Sequence, residues 1–171
     1  TLSLHDALPI WAGGAGPGVH FYGFRQIDEN PVFYGLAEAF ILPSLREEWG
    51  LVVNEAMASG VPVLVSMAAG CVEDLLEPWP PGDPLEAASL LQRLGLRMQV
   101  RRNGFAFDPG SPDELSRALR FILLHPACAA EMGAAGCRII SQFSCENFAV
   151  NALQAARLAA GGELATREEG G

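Results

Sequence analysis

Basic residues are scarce in this sequence, and their scarcity excludes one class of partner. The 171 residues include 11 Lys and Arg against 20 Asp and Glu, which gives a formal net charge of -9 and a pI near 4.7. Nonspecific binding to nucleic acid requires a surface rich in Lys and Arg. The composition therefore argues against a nucleic-acid partner.

The sequence also lacks long apolar runs and the spacing of metal ligands. No apolar run approaches the roughly 20 residues of a membrane-spanning helix, and the N-terminus has neither the basic start nor the apolar core of a signal peptide. These absences predict a cytoplasmic location. Because Cys71, Cys128, Cys137 and Cys145 show no C-x-x-C spacing, we expect reduced core thiols and not zinc ligands or a disulfide framework. We predict no metal site and no cofactor.

What the chain does contain is enough apolar sequence for one globular domain. Half of the residues are hydrophobic (50%) and 18% are charged, a composition and length that allow a substantial core. Short β-rich runs alternate with helical patterns bounded by Asn30-Pro31 and Gly60, which predicts an α/β fold with an open, mainly parallel sheet flanked by helices. The predicted strands are 19–23, 40–44, 61–66 and 104–108, and the predicted helices are 30–39, 50–59, 111–122, 127–140 and 146–160.

One of these helices has a detailed start signal. Ser111 is placed as an N-cap, Pro112 as the first helical residue, and Glu114 as the acidic partner of a capping box. The spacing of the following apolar residues predicts that one face turns inward. That face consists of Leu115, Ala118, Leu119 and Ile122.

The remaining segments set the predicted domain limits. Residues 1–10 show weak alternation and no capping logic, so we predict a non-native or disordered leader there. Residues 11–160 would form the domain, with a turn-rich insertion and an amphipathic helix at 78–102 and a frayed tail at 161–171.

The stretch "PSLREEWGLVVNEAMASGVPVLVS" (residues 43–66) carries the chemistry. The loop after Ser44 and the first helical turn at Gly50 present unpaired backbone N–H groups, which together with the helix dipole make an anion site suited to phosphate. Glu55 lies roughly 7 to 8 Å further along the helix at 1.5 Å per residue, where its two oxygens could accept from a ribose diol. Glu47, before the helix, could accept hydroxyls of a second sugar.

Spacing alone leaves simpler explanations open. Glu47 and Glu48 would also be favoured as solvated acids near a helix N-terminus, where they stabilise the helix by a few tenths to about one kcal/mol. Glu55 could be a residue of the helix surface that pairs with a cation. The pattern by itself does not choose between these explanations and a ligand site.

The same stretch resembles the signature of the retaining glycosyltransferases of family 4, also called group 1. That signature is a Pro-Ser, then E-x-F-G, then E-A-M-A-x-G-x-P-V, and Trp49 stands here for the usual Phe. The resemblance extends to "VHFYGF", "AAGCVEDLLE" and "NGFAFDPGSPDELSRAL". It covers about residues 19–152, with 78–102 unmatched.

The resemblance implies a GT-B enzyme of two Rossmann-like domains, of which this chain would be the C-terminal, donor-binding half, truncated at its N-terminus. In the family the first Glu of E-x7-E contacts the donor sugar, so Glu47 is the implied catalytic residue, and Glu55 holds the ribose hydroxyls. Glu73 has either a structural role or a contact with the donor. The other implied donor-binding residues are Trp49, Gly50, Leu51 and Val52, through backbone amides on the diphosphate, and Gly70 and Cys71, near sugar and phosphate.

Family members transfer a sugar from a nucleotide-diphosphate sugar to an acceptor hydroxyl with retention, generally without a metal. The leaving diphosphate needs positive charge, which the family supplies from an upstream Arg and Lys. Neither is identifiable here, and Arg25 is a poor substitute. The acceptor would be bound by a missing N-terminal domain, and any peripheral membrane association would depend on that domain. We therefore expect this chain alone to be inactive.

Two alternatives remain. A noncatalytic nucleotide-binding or interaction module would account for the insertion and the missing basic pair. A nucleotide-sugar epimerase or a phosphorylase of GT-B architecture is disfavoured by the complete run from E-x-W-G to E-A-M-A.

Overall fold

Four strands form one mixed sheet in the part of the chain that the computed structural model describes, residues 18–23, 25–79 and 97–160. The sheet order is β1-β2-β4-β3, in which β1, β2 and β4 run parallel and β3 pairs antiparallel with β4. The result is the α/β, Rossmann-like fold that the sequence predicts. The strands are β1 (Phe40–Leu42), β2 (Val63–Ser66), β3 (Gln99–Arg101) and β4 (Gly104–Phe107).

Helices alternate with the parallel strands, and three more helices follow the last strand. The helices are α1 (Asn30–Leu36), α2 (Leu51–Ala58), α3 (Val72–Leu75), α4 (Pro112–Leu124), α5 (Pro126–Ile140) and α6 (Cys145–Ala159). No helix among the described residues combines the length and apolar character needed to cross a membrane.

The sheet is covered on both faces, and the side chains of β2 show why. Val63 and Val65 pack into a cluster with residues of α2 and α3, whereas Leu64 points to the other face and packs with residues of α4 and α5. All four residues of β2 are buried. A strand that is buried on both faces is written as a continuous apolar run, which is how "VPVLVS" predicts a central parallel strand.

Helix α5 is seated on the end of α2 through a glycine. A Cβ built on Gly133 would lie 2.0 Å from the carbonyl oxygen of Gly60, and one built on Gly136 would lie 3.5 Å from Met57. Gly60 ends α2 with a positive φ of 74°, as a C-terminal glycine stop does. The small residues of α5 therefore fix the far end of the helix whose first turn faces the candidate site.

The prediction of a strand at residues 19–23 is wrong. Within the described residues this segment pairs with no strand; Val19, Phe21 and Tyr22 are exposed, and the ring of Tyr22 packs edge-on against Phe33 at 4.9 Å. A β-rich run becomes a strand only where a neighbouring strand accepts its hydrogen bonds, because strand propensity largely reflects packing context. The other predicted strands and helices are present, with ends shifted by up to three residues.

The capping box at 111–114 is confirmed on one side only. Ser111 Oγ accepts from the Glu114 N–H at 3.4 Å, but the buried Glu114 carboxylate does not return to Ser111. It accepts from the backbone N–H groups of Asp108 at 2.8 Å and Met98 at 3.1 Å, since a buried carboxylate is stabilised by backbone donors. On the same helix Phe121, which the predicted inward face omits, is buried and packs edge-on against Phe105 at 5.4 Å.

The remaining predictions are met unevenly. Residues 99–101, inside the predicted insertion, form strand β3, while the predicted amphipathic helix, the leader 1–10 and the tail 161–171 lie outside the described residues. Cys71 is buried in the core, whereas Cys128 and Cys137 are half-buried and Cys145 is exposed. The expectation of a core thiol is therefore wrong for Cys145, which begins the exposed helix α6.

The glycine contact between α5 and α2 predicts opposite effects for two helical glycines. Gly133→Ala would force Cβ into the Gly60 carbonyl and should destabilise the fold by at least about 2 kcal/mol. Gly35→Ala, in α1, meets nothing within 4 Å and should stabilise by about 0.5–1 kcal/mol. Urea unfolding of the two variants measures the difference. Equal effects of the two substitutions would contradict the packing described for α5.

Candidate functional site

The candidate site lies where β1 and β2 end. The two strands are parallel neighbours, with Leu42 paired to Val65, so the segments that follow them emerge at the same edge of the sheet. In open parallel sheets this carboxyl edge is where ligands bind. Here the edge carries the loop 43–50 and the loop 67–71, which we call the first and second loops.

The two loops are hydrogen-bonded to each other through Glu47. Its backbone pairs with Ala69 in an isolated parallel bridge. The Glu47 N–H donates to the Ala68 carbonyl at 3.3 Å, and the Gly70 N–H donates to the Glu47 carbonyl at 3.0 Å. Both backbone groups of the first acidic residue of the motif, its N–H and its C=O, are thus bonded to the second loop.

Gly70 is required by this contact. A Cβ at this position would lie 2.0 Å from the carbonyl oxygen of Glu48 and 3.1 Å from its carbonyl carbon. Any other residue would push the two loops apart. The amide of Gly70 already donates to Glu47. The role of Gly70 is therefore to let the backbones of the two loops lie close together.

The side chains of Glu47 and Trp49 are turned towards their own loop and helix. Glu47 is half-buried, and its Oε1 accepts from the Trp49 N–H at 3.4 Å. The Trp49 indole Nε1–H donates to Asn54 Oδ1 at 3.3 Å, and the ring packs against the core cluster on the α2 face. The Trp49 amide thus has an acceptor within its own loop, and its half-buried ring is attached to α2.

Helix α2 begins without a side-chain cap. Gly50 occupies the N-cap position in the left-handed conformation, φ 90° and ψ 64°, and a Cβ there would lie 2.8 Å from Leu42 Cδ2. Within the described residues the amides of Leu51 and Val52 have no hydrogen-bond acceptor, whereas that of Val53 bonds the Gly50 carbonyl at 2.9 Å. The open amides and the positive end of the helix dipole can hold an anion.

Glu55 lies on the same helix and is held from α1. Its Oε2 accepts from the Tyr34 hydroxyl at 2.9 Å and from Asn30 Nδ2 at 3.4 Å. The half-buried carboxylate is thus oriented by groups 21 and 25 residues away in sequence. The motif does not indicate Asn30 or Tyr34; the available signal is their spacing of four residues, which puts both on one side of a helix.

Burial and the neighbouring Glu55 both raise the pKa of the Tyr34 phenol. Desolvation by burial is the largest cause that raises the pKa of Tyr34 from 10.0 to about 12, and the hydrogen bond to Glu55 and its negative charge add to it. Both causes disfavour the phenolate. Tyr34 therefore remains a hydrogen-bond donor to Glu55 across the physiological range.

Cys71 and Glu73 lie beside the second loop with different exposures. The Cys71 side chain is fully buried; burial raises the pKa of its thiol, and the carboxylates of Glu47 and Asp74 add to the shift. Only its backbone can face a ligand. Glu73 is exposed, and its closest cation is Arg101 at 3.9 Å. No group of three or more His, Cys, Asp or Glu side chains in residues 18–23, 25–79 and 97–160 is arranged to hold a metal ion.

A cleft of about 350 Å³ opens between the segment before α1 and α1 itself. It exposes the helix side that carries Asn30 and Tyr34. The lining residues are Tyr22, Gly23, Arg25, Asn30, Phe33 and Tyr34.

Taken together, an uncapped helix start at the carboxyl edge of a parallel sheet with an oriented carboxylate beside it is typical of a Rossmann-like domain that binds a phosphorylated ligand. Comparison with known proteins points to one family. Residues 8–83 match the family described as glycosyl transferases, group 1. This part of the chain is therefore similar to group 1 glycosyltransferases.

Individual proteins to which the chain is similar point in the same direction. The chain is 34% identical over 103 residues to the sulfoquinovosyl transferase SQD2 of Arabidopsis thaliana, a match that covers 60% of this chain and 16% of that protein. It is 42% identical over 55 residues, 32% of this chain and 14% of that protein, to the uncharacterized glycosyltransferase MJ1607 of Methanocaldococcus jannaschii. Among solved structures, the sucrose-phosphate synthase of Thermosynechococcus elongatus superposes with a TM-score of 0.63 at 26% identity, over 85% of this chain and 31% of that one. The chain thus spans less than a third of each of these proteins.

The contact between Tyr34 and Glu55 predicts a loss of stability at alkaline pH. The pKa of the Tyr34 phenol is higher in the folded chain than in the unfolded chain. The contribution of its protonated form to the free energy of unfolding is therefore fully present below about pH 10 and is lost as the pH rises towards 12. Absorbance titration in a Tyr22→Phe background, where Tyr34 is the remaining tyrosine of two, should give a midpoint near 12, lowered by Glu55→Gln. A midpoint near 10 that Glu55→Gln leaves unchanged would show that the contact does not form.

Proposed function

We propose that this chain is the donor-binding domain of a retaining glycosyltransferase of family 4, which transfers a sugar from a nucleotide-diphosphate sugar to an acceptor hydroxyl. The observation that carries the proposal is the uncapped start of α2, held against the second loop at the carboxyl edge of the sheet. The match of residues 8–83 to group 1 glycosyltransferases and the resemblance of residues 43–66 support it.

The diphosphate is assigned to the first turn of α2. The amides of Leu51 and Val52 are the open donors there, and the left-handed Gly50 begins the helix without a side-chain cap that would occupy them. Trp49 supports this turn through its bond to Asn54. Gly70 and the backbone of Cys71 would lie near the sugar and the phosphate of the donor.

The two carboxylates are assigned to hydroxyl groups on either side of the diphosphate. Glu55 would accept from the ribose diol. Glu47, the proposed catalytic residue, would contact the donor sugar through its second oxygen, Oε2, since Oε1 accepts from Trp49. Both residues are half-buried, so their hydrogen bonds to a ligand are only partly exposed to competition from water.

The bond between the sugar and the diphosphate breaks as the acceptor oxygen attaches, and the negative charge on the departing diphosphate needs a cation. All 11 basic residues of this chain are arginines, so it supplies no lysine. Arg25, the basic residue of the nearby cleft, pairs with Glu29 at 3.4 Å. We propose that this positive charge comes from residues upstream in the same domain and the acceptor site from an N-terminal domain, and that this chain alone binds the donor without transferring sugar.

The proposal predicts that a nucleotide sugar stabilises the chain. A ligand that binds only the folded state adds about 2.7 kcal/mol at a hundredfold excess over its dissociation constant, which is roughly 5–10 °C in a domain of this size. Thermal unfolding with UDP-, GDP- and ADP-glucose should show this increase for one nucleotide. Glu55→Ala should abolish the increase, while Glu131→Ala, an exposed glutamate on α5, should keep it.

Two results would contradict the proposal. One is a cooperative transition that none of the three nucleotide sugars shifts. The other is an increase of the same size in Glu55→Ala, which would put the nucleotide elsewhere on the domain.

A further inference from the structure

The side of Glu55 that faces α1 has contacts that the motif at residues 43–66 does not contain. Tyr34 and Asn30 both donate to Oε2, at 2.9 and 3.4 Å. They lie one turn apart on α1, a helix with no buried residue. Helix α1 thus presents two donors to a single oxygen of the carboxylate that is assigned to ribose.

The number of acceptor positions then limits how Glu55 can bind a diol. Each carboxylate oxygen has two lone pairs, about four positions for the group. The two positions of Oε2 are taken by Tyr34 and Asn30, and within the described residues no donor reaches Oε1. A ligand therefore finds the acceptor capacity of Glu55 on Oε1.

We infer that Tyr34 and Asn30 are positioning residues that hold Glu55 by Oε2 and present Oε1 to both hydroxyls of a ribose diol, an inference that rests on the proposed function. The two hydroxyls converge on one oxygen, which differs from our expectation that each oxygen takes one of them. Recognition of ribose over a deoxy sugar then depends on two residues that act on the ligand only through Glu55.

The tyrosine ring has a packing role that must be separated from the role of its hydroxyl. The ring of Tyr34 packs edge-on against Phe40 of β1 at 5.9 Å and against the core cluster on the α2 face. Tyr34→Phe keeps this packing and removes only the donor. The substitution therefore tests the hydrogen bond without removing the ring.

The test compares ADP, GDP and UDP with their 2′,3′-dideoxy counterparts by titration calorimetry of the 171-residue chain. For the nucleotide that binds, Tyr34→Phe should reduce the preference for the ribose form by about tenfold, with the affinity for the dideoxy form unchanged within about twofold. In a Glu55→Gln background Tyr34→Phe should have no further effect, because its action passes through the carboxylate. Ser141→Ala, which removes a hydroxyl at the end of α5, is the control and should behave as the parent chain.

Each contrary result has its own meaning. An unchanged preference in Tyr34→Phe, or an equal loss for both forms of the nucleotide, would overturn the inference and leave the proposed function intact. An equal loss of preference with and without Glu55 would mean that Tyr34 contacts the ribose itself, which also overturns it. A parent chain that binds no nucleoside diphosphate would overturn the proposed function, and this inference with it.

Discussion

The contact between the first and second loops is the constraint on which the candidate site depends. Gly70 lies so close to the carbonyl of Glu48 that a side chain would occupy the same space, and Glu47 is bonded to the second loop through both its N–H and its C=O. These contacts fix where the first loop ends. They therefore fix the left-handed Gly50 and the direction in which the open amides of α2 point.

The electrostatics of the site are local. The chain carries a formal net charge of -9, so its overall field repels a diphosphate, and the attraction proposed here comes from backbone dipoles at the start of α2. Carboxylates beside such a site can accept hydrogen bonds from hydroxyl groups but repel phosphate groups. The attachment of Glu55 to Tyr34 and Asn30 keeps that carboxylate in place on the side of α1.

Much of the α/β order could be predicted from the sequence, because apolar runs such as 61–66 and end signals such as Gly60 are local. Strand β3 and the seating of Glu114 could not, since both depend on partners brought together only by the fold. For the same reason the motif indicated Glu47, Gly50 and Glu55, but neither donor from α1. The hydrogen bonds to Glu55 join residues more than 20 positions apart, and the sequence shows only that Asn30 and Tyr34 share one side of α1.

The most direct measurement is an NMR titration of the ¹⁵N-labelled chain with the nucleoside diphosphates ADP, GDP and UDP, which follows every backbone amide. If the two loops and the start of α2 form the donor site, the shifts caused by the bound nucleotide will be concentrated at residues 47–55 and 69–71, with the largest at Leu51 and Val52. Shifts concentrated elsewhere, for example on α6 at the far end of the described chain, or no shifts with any of the three, would contradict that assignment.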